Sequence, residues 1–260
     1  MLTDWIYAAP IWLMGGVVIG IAVALSATGL LLVDRLFSNE RRREHNDVAG
    51  FLIAVVGIFY AVLLASIAVM AWADYSDARA TIGREADLIA DLHRIAGSLP
   101  AATGRPIRNA LVEYAQVVVE EEWPALQHGE RPRRIVEPLQ RIQSQLVTYR
   151  PGTKAAEVLL ATMLSRLGDL YDARTDRLLA ADDKIPPVVW WTVLLGAALT
   201  IGFTYFFGLR SRGTHMAMTG ILAASLASVI VMTIALDQPF RGGAKFTPEP
   251  FLELLDLLVP

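Results

Sequence analysis

The sequence predicts an all-α membrane protein, with four transmembrane helices and a helical extramembrane domain inserted between spans two and three. Three observations carry this. The 260 residues are 54% hydrophobic with a mean hydropathy of +0.44, more apolar than a soluble chain of this length. The apolar residues gather in four long blocks. Between the second and third blocks, residues 74–186 carry charges of both signs on a helical period.

The spans run from Ile11 to Val33, Val48 to Ala73, Pro187 to Leu209 and Met216 to Leu236. Each has roughly 20 residues or more, enough to cross ~30 Å of hydrocarbon at ~1.5 Å per residue. None contains Asp, Glu, Lys, Arg or His. Trp5, Tyr7 and Trp12 flank the first span, Trp72 and Tyr75 the end of the second, and Trp190 and Trp191 the start of the third, as interfacial anchors do. The first apolar stretch is too long, and lacks the preceding positive charge, for a cleaved signal peptide.

This divides the chain into 1–73 (spans one and two with loop 34–47), 74–186, 187–236 (spans three and four) and a carboxy-terminal segment, 237–260. Loop 34–47 carries Arg35, Arg41, Arg42 and Arg43, and loop 209–215 carries Arg210 and Arg212. The positive-inside rule places both loops in the cytoplasm of a bacterial inner-membrane protein. The termini and 74–186 then face the periplasm, where Asp74, Asp77, Asp182, Asp183 and Asp237 form an outer acidic rim.

In 74–186, Ala78, Ile82, Ala86, Ile89, Leu92, Ala96 and Leu99 make one apolar stripe, continuous with span two as a single long helix. Gly97, Pro100 and Gly104 end it. A second helix starts at Pro106 and is closed by Pro124; a third holds Leu139, Ile142, Leu146 and Tyr149; the last runs from Lys154 to about Asp182. Leu167, Leu170, Arg174 and Leu178 share one of its faces. Glu120, Glu121 and Glu122 read as a solvated helix end, or as a weak cation site. Asp169, Asp172 and Asp176 beside Arg166, Arg174 and Arg177 read as an ion-paired surface. Beyond span four, Phe251 to Val259 is too short to span and suits an interfacial or subunit-docking helix.

The chemistry of most enzymes is missing. His45, His93, His128 and His215 form no metal-binding pattern, and no nucleotide or nucleophile motif occurs. The absence of cysteine removes disulfides and thiolate chemistry, and a net charge of -3 offers no surface for nucleic acid. No enzyme activity, cofactor or metal is expected. Carriers coupled to protons place ionisable groups at membrane depth, and these spans have none.

Span two presents Asn46, Gly50, Ala54, Gly57, Ala61 and Ala65 along one side. Such small residues serve close helix packing or line a pore around an oligomer axis. On another face, Phe51, Val55 and Phe59 offer a hydrophobic constriction that gates by dewetting. The sequence does not choose between them. Arg41, Arg42, Arg43, His45 and Asp47 surround the cytoplasmic end of this span, as a helix cap or as a charged pore mouth.

Five segments resemble the bestrophin-like domain family of bacterial and plant membrane proteins. They are His45-Asn46-Asp47-Val48-Ala49-Gly50-Phe51, Arg84-Glu85-Ala86, Glu122-Trp123-Pro124, Arg174-Thr175-Asp176-Arg177-Leu178 and Asp237-Gln238-Pro239-Phe240-Arg241-Gly242. The resemblance covers about 34–250. Through the true bestrophins, which are pentameric anion channels, it implies an oligomeric channel. It also implies cytosolic termini, opposite to what the arginines indicate. The leading expectation is a homo-oligomeric ion channel, a tetramer or pentamer in the lipid bilayer, with span two around the axis and inorganic anions as the permeant species. The alternatives are a non-conducting sensor or scaffold whose helical domain binds a partner, and a cation channel or small-solute carrier.

Overall fold

The computed structural model describes residues 10–37, 42–43, 45–132 and 137–258; Trp5, Tyr7, Arg41 and Val259, named above, lie outside them. All regular structure among the described residues is helical. The helices are α1 (Ile11–Leu36), α2 (Asn46–Ala96), α3 (Ala101–Val117), α4 (Trp123–His128), α5 (Glu137–Thr148), α6 (Lys154–Asp182), α7 (Pro187–Thr204), α8 (Arg212–Leu236) and α9 (Glu249–Leu258). By length and composition α1, α2, α7 and α8 are able to cross a membrane.

Two compact units divide the chain. The first runs to Asp74 and takes in Lys184–Gln238 and Gly242–Ala244. In it α1 packs chiefly on α8, with Met14 against Val231 and Ala235. The first part of α2 sets Tyr60, Leu64 and Ile67 against Val193 and Ala197 of α7 and Ile230 of α8. Gly196 makes this fit possible, because a Cβ there would stand 2.4 Å from the Tyr60 ring. The Tyr60 hydroxyl donates to the Val193 carbonyl at 3.0 Å. Ser26 and Thr28 of α1 donate to carbonyls of their own helix, at 3.0 and 2.8 Å, which leaves no bare hydroxyl in an apolar stretch. The third apolar helix ends at Thr204 rather than Leu209. The amides of Tyr205, Phe206 and Phe207 reach back three residues, which tightens the chain into a turn.

The second unit holds Tyr75–Asp183, Pro239–Arg241 and the residues from Lys245 onward. The stripe from Ala78 to Leu99 is buried in its core with Ile107, Leu111, Ile142, Met163 and Leu170. Two helix boundaries differ from the sequence expectation. α3 begins at Ala101, so Pro106 lies one turn inside it. Gly104 starts nothing and ends nothing; it lets α3 approach the end of α2, where a Cβ would sit 2.3 Å from the Ala96 carbonyl oxygen. Nor does Pro124 close a helix. A five-residue π segment, Val118–Glu122, precedes α4, and the Trp123 amide reaches back five residues to Val118. Pro124 has no amide hydrogen and crowds the carbonyl four residues before it, and widening the turn relieves both. Gly129, at φ +76°, then ends α4. Thr153 caps α6, accepting from the Ala156 amide at 3.2 Å. After α8 the chain adds Phe240, Phe246, Phe251 and Leu254 to this core, while Leu252 and Leu257 of α9 remain exposed.

Candidate functional site

The apolar part of α2 is covered on one side only. Ala49, Tyr60, Leu64, Ile67, Ala68 and Ala71 are buried against the other helices of the first unit. At about 100° per residue, the row of Asn46, Gly50, Ala54, Gly57, Ala61 and Ala65 lies beside this packed side, roughly 75° round. Gly50 and Gly57 have no atom within 4 Å of where a Cβ would stand, so at these two positions the row packs against nothing within one protomer. Phe51, Val55 and Phe59 lie on the far side, roughly 150° round by the same measure. They are 71%, 39% and 75% exposed.

The start of α2 is fixed by polar contacts within the first unit. The Asn46 side chain donates from Nδ2 to the Gly208 carbonyl and accepts at Oδ1 from the Gly208 amide, both at 3.0 Å. Asn46 therefore holds the turn after α7 instead of capping its own helix. Arg42 is buried; it pairs with Asp34 and donates from Nη1 to the Tyr205 carbonyl at 2.8 Å. Arg212 approaches the other oxygen of Asp34 at 3.4 Å. Burying Arg42 is tolerated because its charge meets that of Asp34 and its two terminal nitrogens find an aspartate and a carbonyl, although its buried Nε has no partner among the described residues. Arg43, His45 and Asp47 are exposed, whereas His215 is buried with Nε2 2.9 Å from the Thr204 carbonyl.

Among the acidic candidates, Asp74, Asp77 and Asp183 are exposed. Asp182 pairs with Arg131 at 3.3 Å. Asp237 accepts from the Ile185 amide at 2.7 Å, so its carboxylate holds the approach to α7.

In the second unit, segments far apart in sequence meet at one buried cluster. Arg177, fully buried, donates from Nε to Glu85 at 2.6 Å and from Nη2 to Glu85 at 3.1 Å and Glu122 at 2.5 Å. Arg174 reaches Glu122 from Nε at 3.0 Å, and Tyr114 donates to Glu85. The Arg177 guanidinium lies 5.9 Å from the centre of the Phe251 ring. Trp123 packs edge-on against Phe240 and Phe251 and donates to the Phe246 carbonyl at 3.3 Å. Burial pushes the Tyr114 hydroxyl well above its ordinary range, and the neighbouring Glu85 adds to this. Burial alone would lower the Arg177 pKa, but Glu85, Tyr114 and Glu122 more than reverse it and keep the guanidinium charged.

The reading of Glu122 as a solvated helix end, and of Arg174 and Arg177 as an ion-paired surface, is thus corrected. Glu120 and Glu121 are exposed, but the π segment turns Glu122 inward. Of that surface, Arg166 and Asp169 pair as expected, at 3.5 Å. Position could have revealed the cluster. Glu85 falls between Ile82, Ala86 and Ile89 on the stripe, and Arg174 falls between Leu170 and Leu178. A charge on a buried stripe requires a partner.

Four of the five recognised segments supply Glu85, Glu122, Trp123, Arg174, Arg177 and Phe240 to this unit, and the fifth supplies Asn46 to the other. The Bestrophin-like domain family matches residues 20–251, most of the chain. The chain belongs to the bestrophin-like family. Solved structures show the same fold. A point mutant of a bacterial bestrophin homologue from Klebsiella pneumoniae is 13% identical, with a TM-score of 0.69 over 93% of this chain and 99% of that one. A mutant described as a membrane protein is 14% identical, with a TM-score of 0.68 over the same shares. A further mutant of the Klebsiella pneumoniae homologue has a TM-score of 0.59 at 14% identity, over 92% of this chain and 93% of that one. No curated protein sequence matches the chain. As a member of a membrane-protein family with four helices apolar enough to span, this bestrophin-like protein is a membrane protein.

Proposed function

We propose that this bestrophin-like protein is a homo-oligomeric ion channel, a tetramer or pentamer, in which α2 lines the path and inorganic anions pass. In this reading α1, α2, α7 and α8 all cross the bilayer, and residues 74–186 form a domain outside it. The observation that carries the proposal is the uncovered side of α2. A helix that packs on only one side, and carries no Asp, Glu, Lys, Arg or His between Val48 and Ala73, needs lipid or further copies around it.

The geometry favours one division of labour. The small-residue row, beside the packed side, meets the neighbouring copy's α2, where Gly50 and Gly57 admit close backbones. Phe51, Val55 and Phe59, pointing away from the protomer's own helices, face the axis as an apolar constriction. Anions are favoured by the family likeness and by Arg43 at the mouth. Arg42 contributes less, because Asp34 already neutralises it. In vesicles containing the purified protein, chloride efflux above that of empty vesicles is expected. The absence of any ion flux at every voltage and pH tested contradicts the reading.

Orientation is tested separately, because two observations oppose each other. The arginines of the short loops place the termini in the periplasm. Likeness to the true bestrophins favours the cytosol instead. Reporters fused to the carboxy terminus distinguish the two: alkaline phosphatase activity is the outcome the arginines predict, and green fluorescence the outcome the likeness predicts.

A further inference from the structure

A groove of about 340 Å³ runs between α1, α7 and α8 of the membrane unit. Val18 and Leu25 line it from α1, Ala198 and Ile201 from α7, and Ala227 from α8, with Tyr205 at one end. Its walls are almost wholly carbon. The one lining hydroxyl in α1, on Ser26, is bonded to the Val23 carbonyl of its own helix. Water would find few partners here, so the groove is dry or holds hydrocarbon.

Its depth identifies the occupant. One turn beyond Leu25, Gly29 meets the Tyr205 hydroxyl, where a Cβ would stand 2.6 Å away. From that level to Val18 is roughly 16 Å at ~1.5 Å per residue, about half of a ~30 Å hydrocarbon core. The groove therefore begins near one interface and reaches the bilayer midplane, the span of one acyl chain of one leaflet. Past its Tyr205 end stand Arg35 at the end of α1 and Arg210 and Arg212 before and at the start of α8. All three are exposed, Arg212 at 77% of its side chain. Basic residues at the interfacial end of an apolar groove between membrane helices complement an anionic headgroup.

We infer that this groove holds an acyl chain of an anionic phospholipid from the leaflet on the side of the short loops, with the headgroup on Arg35, Arg210 and Arg212. The site gives the gap between α1 and α7 a lipid filler and makes the fit of these helices depend on lipid charge. The inference rests on the four-span reading but not on conduction.

The test uses the full-length protein, extracted from vesicles of equal phosphatidylglycerol and phosphatidylcholine and examined by native mass spectrometry for retained lipid. Retention of phosphatidylglycerol over phosphatidylcholine is expected. The pair Arg35→Gln and Arg210→Gln leaves the Arg212–Asp34 contact intact and should lower that preference about tenfold. Ala198→Trp on one wall, or Ala22→Phe on the opposite one, should expel lipid of either headgroup while circular dichroism stays unchanged. Equal retention of both lipids, or an unchanged preference in the arginine pair, overturns the inference alone. Protein that does not insert into bilayers overturns the four-span reading and this inference with it.

Discussion

In the helical unit Leu92, Leu111, Leu139 and Leu170 are wholly buried by the chain's own residues. In the membrane unit the most apolar windows of α1, α2 and α7 are only 11%, 22% and 17% buried. Charge runs the other way. The helical unit keeps Glu85, Glu122 and Arg177 at its centre, while the membrane unit keeps Asp34, Arg42 and Arg212 at one end of its helices. On the four-span reading proposed above, the contrast follows from two solvents, water around the helical unit and lipid around the other. A core made against water closes on itself, and it can hold charge only where every charge is matched. Helices made for lipid leave apolar sides open, to be covered by acyl chains or by further copies.

The comparison can be broken first at the buried cluster. Arg177→Met leaves Glu85 without its guanidinium and should destabilise the helical unit by about 3–5 kcal/mol. Denaturant unfolding in detergent, followed by far-ultraviolet circular dichroism, measures it. A loss under about 1 kcal/mol would show that the cluster is not the closed, matched core described here. The next test sets two glycines against each other. Gly196→Ala drives a Cβ into the Tyr60 ring and should cost about 1–3 kcal/mol in the protomer. Gly57→Ala meets nothing in the protomer and should leave its unfolding unchanged while lowering the oligomer fraction seen by mass photometry. Equal effects on protomer stability would contradict the view that α2 packs on one side only.

A third pair compares two adjacent arginines. Arg42→Gln strips Asp34 of its buried partner and should cost about 1–3 kcal/mol; Arg43→Gln, exposed, should stay within about 0.5 kcal/mol. Thermal unfolding in detergent reads both. The smallest effect concerns His93 in the helical unit. Burial, followed by the charge of Arg108, lowers its pKa below the ordinary 6.5. The folded state then resists a proton that the unfolded chain accepts. Stability is complete above pH 6.5 and declines as the pH falls through that value. His93→Gln should flatten this slope in a pH series of melting curves.

Much of the architecture was legible from residues alone. The four apolar blocks, the continuity of α2 and the limits of α6 follow from hydropathy, from helical spacing and from the absence of a breaker. Proline was the weaker guide. Pro106 and Pro124 suggested a start and a stop, but a proline near a first turn or beside a π segment interrupts neither path. The buried cluster was half legible. Its residues lie in the motifs quoted above, yet Glu122 faces inward through the turn of the π segment, and single-residue periodicity does not anticipate that turn. The uses of Asn46 and Asp237 depend on Gly208 and Ile185, far away in the chain, and no local pattern reports such pairs. Which side of α2 is left uncovered was open in the sequence because it depends on which side the protomer itself covers.

The chain contains no cysteine, so one introduced thiol reports one position. The decisive measurement is the block of ion flux by a charged methanethiosulfonate reagent in Val55→Cys, set beside Ala61→Cys, in vesicles containing the assembled protein. Block at position 55 with little change at 61 is the predicted result. Block at 61 alone would place the small-residue row on the axis and contradict the assignment of the Phe51, Val55 and Phe59 side; flux untouched at both would contradict a path lined by α2.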